Sequence, residues 1–130
     1  MLGRRNSVEE SLIAIEKCKE AGFKLINIDM MYMLPNQTVD SWIHDLKLAV
    51  EQAPDQITCY PLLVPHYTLF YRLIRDGKVP EQPSIREFKR MYYAAVQTLK
   101  ENGILRLDIT RSVGGARSIR LWSLRWSGHY

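Results

Sequence analysis

Asn27-Ile28-Asp29-Met30-Met31-Tyr32-Met33-Leu34-Pro35-Asn36-Gln37-Thr38 is the stretch whose reading decides the fold. It starts inside an apolar run, residues 24–31, that reads as a strand with one acid, Asp29. The run breaks at Leu34-Pro35, because the proline ring cannot continue a ladder and holds its predecessor extended. Thr38, a good N-cap residue, then opens a helix. The order is strand, loop, helix, with an acid expected at the carboxyl end of the strand. In α/β sheets and barrels ligands sit at that end. An acid there accepts hydrogen bonds from a ribose or an amine. Equally, it caps a helix or pairs with a basic residue, and spacing leaves both readings open.

Working outward, the chain alternates helices and strands. Ser7-Val8-Glu9-Glu10 is a capping box. Behind it, Leu12, Ile13, Ala14, Ile15 and Cys18 mark an apolar helical face, and Gly22 marks the stop. A second helix is predicted from Val39 to about residue 53, with Trp42, Ile43, Leu46, Ala49 and Val50 inward. Residues 56–63 read as a second strand, with Pro61 near its end. A short helix over about residues 67–76 stops at Gly77, and Val79-Pro80-Glu81-Gln82-Pro83 is an extended linker. Ser84-Ile85-Arg86-Glu87 opens a long helix to about residue 102, and residues 104–109 are predicted to form a third strand. Nearly continuous apolar strands between helices imply a parallel α/β sheet with right-handed crossovers.

Several of these segments together resemble the radical SAM family that holds oxygen-independent coproporphyrinogen III oxidase and its haem-chaperone relatives. The opening stretch resembles that family's N-I-D-L-I-Y-G-L-P-x-Q-T. Leu2-Gly3-Arg4-Arg5 resembles its L-G-R-x-H entry to a helix. Pro54-Asp55-Gln56-Ile57-Thr58-Cys59-Tyr60-Pro61-Leu62 is similar to P-D-H-I-S-x-Y-x-L. The separated motifs fall at matching distances over residues 1 to about 108. Met33 departs from the pattern by standing where the family has glycine, a residue suited to positive φ or to close approach of a ligand.

The resemblance implies that residues 1–108 are the C-terminal half of a radical SAM core, a parallel-stranded half of a partial (β/α) TIM-like barrel. It implies S-adenosylmethionine as cofactor, with Arg4 on its methionine carboxylate, Asp29 on the ribose hydroxyls and Leu63 beside the adenine. Arginine's planar fork suits a carboxylate. A porphyrin-type substrate or haem is implied as partner. The family's Cys-x-x-x-Cys-x-x-Cys motif, which ligates a [4Fe–4S] cluster, is absent, and Cys18 and Cys59 cannot replace it. The chain is therefore expected to be a fragment, inactive alone as a radical SAM oxidoreductase. The alternatives are a non-catalytic haem-binding module of the same family, or association with nucleic acid or a membrane surface through the tail.

Composition supports an ordinary globular chain, with 46% hydrophobic and 25% charged residues among 130. No apolar run approaches a membrane span, and two distant cysteines suggest buried thiols, so a cytoplasmic setting is expected. Residues 109–130 hold Arg111, Arg117, Arg120 and Arg125 and no acid, so they carry the whole net charge of +4. This segment departs from the family pattern and is expected to pack loosely, with Trp122 and Trp126 outside any core. A nucleic-acid role ranks below an unstructured end. A half-barrel also leaves its first strand with an open edge, which invites self-association.

His66 follows Pro65 after the second strand and faces the possible ligand side, although a lone loop histidine is more often a plain surface residue. His44, among Asp40, Asp45 and Lys47, reads as solvated. The three histidines and two cysteines show no metal-ligand spacing. Tyr32 and Gln37 read as core or loop support.

Overall fold

The computed structural model describes residues 7–104 and, by backbone alone, residues 119–121. The order is α1 (Val8–Glu20), β1 (Ile26–Tyr32), α2 (Val39–Glu51), β2 (Gln56–Pro61), α3 (Leu69–Arg75), α4 (Ile85–Glu101) and β3 (Ile119–Leu121). Arg4, Trp122, Trp126 and residues 105–109 lie outside the described residues.

Capping fixes where the helices begin. Ser7 Oγ accepts from the Glu10 amide at 3.1 Å and Glu10 Oε2 accepts from the Ser7 amide at 2.9 Å. Thr38 and Ser41 make the same reciprocal pair at α2, and Ser84 and Glu87 make it at α4. Each pair satisfies amides that a helix otherwise leaves orphaned.

The sheet is α/β and parallel, in the order β2-β1-β3. Ile28 lies beside Ile57, Asp29 beside Thr58 and Met30 beside Cys59. Asp55 closes one end of the β1–β2 pair. Its Oδ2 accepts from the Ile26 amide at 2.7 Å and its own amide donates to the Ile26 carbonyl at 3.0 Å. At the other end the Leu62 amide donates to the Tyr32 carbonyl at 2.8 Å.

Strand alternation then divides the sheet into two faces. Ile28, Met30, Tyr32, Ile57 and Cys59 point to one side. There they form a single buried cluster with Ile15 of α1, Trp42, Leu46 and Ala49 of α2, and Met91, Ala95 and Leu99 of α4. The rings of Trp42 and Phe88 stack on Tyr32 at 5.2 and 5.8 Å. Trp42 Nε1–H donates to the Met91 carbonyl at 3.0 Å, tying α2 to α4. So α1, α2 and α4 all cover one face, while α3 contributes no buried residue.

Residues 105–109 of the expected third strand lie outside the described residues. The described third strand is Ile119–Leu121, inside the segment expected to pack loosely, and it lies parallel beside β1 over Ile26–Ile28. Its pairing has a simple cause. The outer edge of β1 presents amides and carbonyls that need partners, and a short strand supplies them. The edge expected to stand open is thus partly covered.

Two backbone and burial features were not visible in the sequence pattern. Met33 has φ of 64°, the left-handed conformation that suits the glycine of the resembled motif. Asp45 is only 4% exposed, and its carboxylate has no hydrogen-bond or ion-pair partner among the described residues. Burial pushes Asp45 up to about 6, against a smaller lowering by His44.

Met33 yields a stability test that cancels its side-chain packing. Met33→Gly should exceed Met33→Ala in unfolding free energy by about 1 kcal/mol, because only the alanine carries the left-handed penalty. Equal stabilities by urea denaturation would place residue 33 in ordinary backbone. Asp45 yields a pH test. Its folded value lies above the unfolded 3.8, so folding takes up a proton. This contribution is complete below about pH 4 and is lost as pH rises through about 6. Asp45→Asn should therefore be more stable than the parent at pH 7 by about 1–3 kcal/mol, and equal to it near pH 4. A parent with no such loss between those pH values would show that Asp45 is solvated or paired.

Candidate functional site

The face of the sheet opposite the helices carries polar side chains in register. Asn27, Asp29 and Met31 of β1 alternate with the core residues, and Thr58 and Tyr60 of β2 lie beside Asp29 and Met31. Thr58 Oγ1–H donates to Asn27 Oδ1 at 3.1 Å, and Asn27 Nδ2–H donates to Asp29 Oδ1 at 2.7 Å. The relay runs one way, from hydroxyl through amide to carboxylate. It fixes the Asn27 side chain and leaves Asp29 as the acceptor at the end of the chain. Asp29 takes part in further interactions as well. Its charge reaches its neighbours: burial first, then Asp29, raises Tyr60 above its ordinary value and pushes the Cys59 thiol up to about 12.

The residues named from sequence are placed as follows. Asp29 lies in the middle of β1, three residues before its end, and not at the carboxyl edge, because pairing with β2 continues through Tyr32. Leu63 follows β2 and is 78% exposed. Arg4 lies outside the described residues. Tyr32 and Gln37 are buried supports, as expected. Gln37 Oε1 accepts from the Leu34 amide at 3.2 Å, while the Gln37 amide donates to the Leu34 carbonyl at 3.0 Å. These bonds shape the loop after β1.

Sequence reasoning missed Asn27, Thr58 and Gln82. Asn27 is two residues from Asp29, so period-two alternation alone puts both on one face. Thr58 needed the β1–β2 register. Gln82 lies in the extended linker, where nothing marked it. Its Nε2 donates to the carbonyls of Met33 at 2.7 Å and Leu62 at 3.0 Å, joining the segments that follow the two strands. One amide group thus ties together the segments that leave β1 and β2.

The geometry suits hydrogen-bonding recognition of a ligand. Cys59 faces the helices with its thiol held protonated, and Cys18 is half-buried on α1. Among the described residues no three His, Cys, Asp or Glu side chains gather as a metal-ion site. The described residues therefore do not fit an iron–sulfur cluster.

These features define a parallel α/β unit with helices on one face and a polar, ligand-type opposite face. The chain is similar to the heme chaperone HemW of Bacillus subtilis, 28% identical over 109 residues, which is 84% of this chain and 28% of that protein. HemW of Haemophilus influenzae is 34% identical over 84 residues, covering 65% of this chain and 21% of the relative. Oxygen-independent coproporphyrinogen III oxidase of Bradyrhizobium diazoefficiens is 28% identical over 109 residues, covering 83% and 24%. Radical S-adenosyl methionine domain-containing protein 1 of Danio rerio is also similar, at 26% over 110 residues. The resemblance read from the sequence is borne out by these similarities. The chain spans between a fifth and three tenths of the length of these curated relatives. No protein-family profile and no solved structure matches it.

The Gln82 clamp gives a direct test. Gln82→Ala removes two donated bonds and should cost about 1–2 kcal/mol, with faster amide exchange at residues 33–37 and 62–64. Gln82→Glu should cost more at neutral pH, since a carboxylate would face two carbonyl oxygens. Unchanged exchange in both variants would show that these segments are held by other contacts.

Proposed function

We propose that this chain is the second half of a partial (β/α) barrel of a radical SAM protein linked to porphyrin or haem metabolism, carrying part of the S-adenosylmethionine site. The observation behind this reading is the division of the sheet. Helices cover one face only, and the other bears the Thr58–Asn27–Asp29 relay. A barrel lined by polar side chains and ringed by helices requires that division. In this reading Asp29 accepts from the ribose hydroxyls, Leu63 lies beside the adenine and Arg4 binds the methionine carboxylate. S-adenosylmethionine, once bound, is the family's source of radical chemistry. The chain's own residues bind and orient it.

In this reading the cluster is held by another part of the parent protein, and the chain alone is inactive. Haem binding without catalysis is the second reading. It is favoured by the chaperone names of two of the relatives.

The test joins this chain to an upstream half bearing the three-cysteine motif and measures S-adenosylmethionine binding by calorimetry. Binding is expected, and Asp29→Ala should weaken it by about 1–3 kcal/mol, the scale of a charge-assisted hydrogen bond. Equal affinity in parent and variant would remove Asp29 from the site, and an absence of binding would overturn the reading.

A further inference from the structure

The long helix α4 has two faces of opposite character. Met91, Ala95, Thr98 and Leu99 are buried. Arg86, Lys89, Arg90, Tyr93, Gln97 and Lys100 are all exposed, and they recur in steps of three or four. That spacing lines them up on the side away from the core, over about 20 Å of helix. None of the four cations enters an ion pair among the described residues. The acids of this helix are engaged elsewhere. Glu87 Oε2 accepts from the Ser84 amide at 2.9 Å in the cap, and Glu101 Oε1 accepts from Gln97 Nε2 at 3.0 Å. The stripe is not a share of a general excess either, because the net charge of +4 resides in residues 109–130.

Helix physics opposes this arrangement twice. Arg86 lies in the first turn, where the positive end of the macrodipole disfavours a cation. It also has Lys89 and Arg90 three and four residues on, where like charges repel. Only Lys100, in the last turn, sits where the dipole favours it. No anion among the described residues offsets these costs, so the complement of the stripe lies outside the fold. Tyr93, midway along, is 69% exposed. The ring of Tyr92 meets it edge-on, with centroids 5.5 Å apart, and steadies it.

Three polyanions carry the right charge. A bilayer surface needs apolar side chains within the charged face. Here Ile85 is about 100° round the helix from Arg86, outside the stripe. An acidic protein segment would use the cations and leave the aromatic ring idle. Single-stranded nucleic acid uses both, since its phosphates take the cations and its unpaired bases stack on exposed aromatic rings. We propose that the outer face of α4 binds single-stranded nucleic acid, with Arg86, Lys89 and Arg90 on phosphates and Tyr93 stacked on a base. Recognition of this kind is independent of base sequence, and no bond is broken. It goes beyond the porphyrin-linked reading and does not rest on it.

Fluorescence anisotropy of labelled, mixed-sequence RNA and DNA strands of about 12 nucleotides, titrated with the full chain, tests the assignment. Saturable binding that weakens with salt is expected for both. Replacing Arg86, Lys89 and Arg90 together by Gln should lower affinity at least about tenfold and flatten the logarithmic salt slope by about two. Replacing the exposed Lys17, Lys19 and Lys24 by Gln removes the same charge elsewhere. That control should stay within about threefold of the parent. Tyr93→Ala should weaken binding about fivefold or more with the salt slope unchanged. The thermal midpoint of the α4 triple variant should be no lower than the parent's, since like-charge repulsion is relieved. The proposal is overturned if neither strand binds saturably, if the α4 triple variant keeps parental affinity, or if both triple variants lose equally. It is also overturned if polyglutamate competes as well as unlabelled strand, or if vesicles of phosphatidylserine and phosphatidylcholine capture the chain while the strands do not.

Discussion

The parity of β1 governs the rest of the structure. Ile28, Met30 and Tyr32 project into the helices, so Asn27 and Asp29 must project the other way. A slip of one residue would drive Asn27 and Asp29 into the apolar cluster and expel Tyr32. Tyr32 is stacked by Trp42 from α2 and Phe88 from α4, so that slip would also part both helices from the sheet. Asp55 and the Leu62 amide fasten the two ends of the β1–β2 pair and hold the register. Core and candidate site are two sides of one alternation, and neither can be altered without the other.

Much of this was legible. Ser7, Thr38 and Ser84 announce their helices, because capping is local chemistry between residues three apart. Apolar runs and proline breaks located β1 and β2 to within two residues at each end. The short strand at residues 119–121 was not legible. Residues 119–121 gain their pairing from the exposed edge of β1, a tertiary circumstance that no local pattern encodes. Asp45 illustrates the same limit. It lies among His44, Asp40 and Lys47 in sequence, yet it is on the inner side of α2 with Trp42, Leu46 and Ala49. Nothing in its polar neighbourhood marked it as buried, and helical geometry turned it inward.

The site was half legible. Asp29 stood out as an acid in an apolar strand. Its position mid-strand, and the relay that orients it, depend on a register between segments about thirty residues apart. Met33 was the evident departure from the resembled motif, yet its backbone takes the left-handed conformation that a glycine there would supply. The loop shape is thus imposed by its surroundings, including the Gln82 bond to the Met33 carbonyl. The motif residue Asp55 turns out to serve the sheet, where its carboxylate holds the start of β1. The shared motifs therefore mix scaffold and ligand-facing positions.

The two hydrogen bonds donated by Gln82 have an architectural consequence. By gripping the Leu62 carbonyl, Gln82 draws together the two ends of the excursion formed by residues 63–81. That excursion includes α3, which buries no residue in the core. Its stem is pinned and its body buries no side chain fully, and loop-closure entropy grows only slowly with length. Residues 63–81 therefore behave as an interchangeable cassette. Beyond Leu63, its length and surface can be replaced by design while the sheet beneath keeps its register.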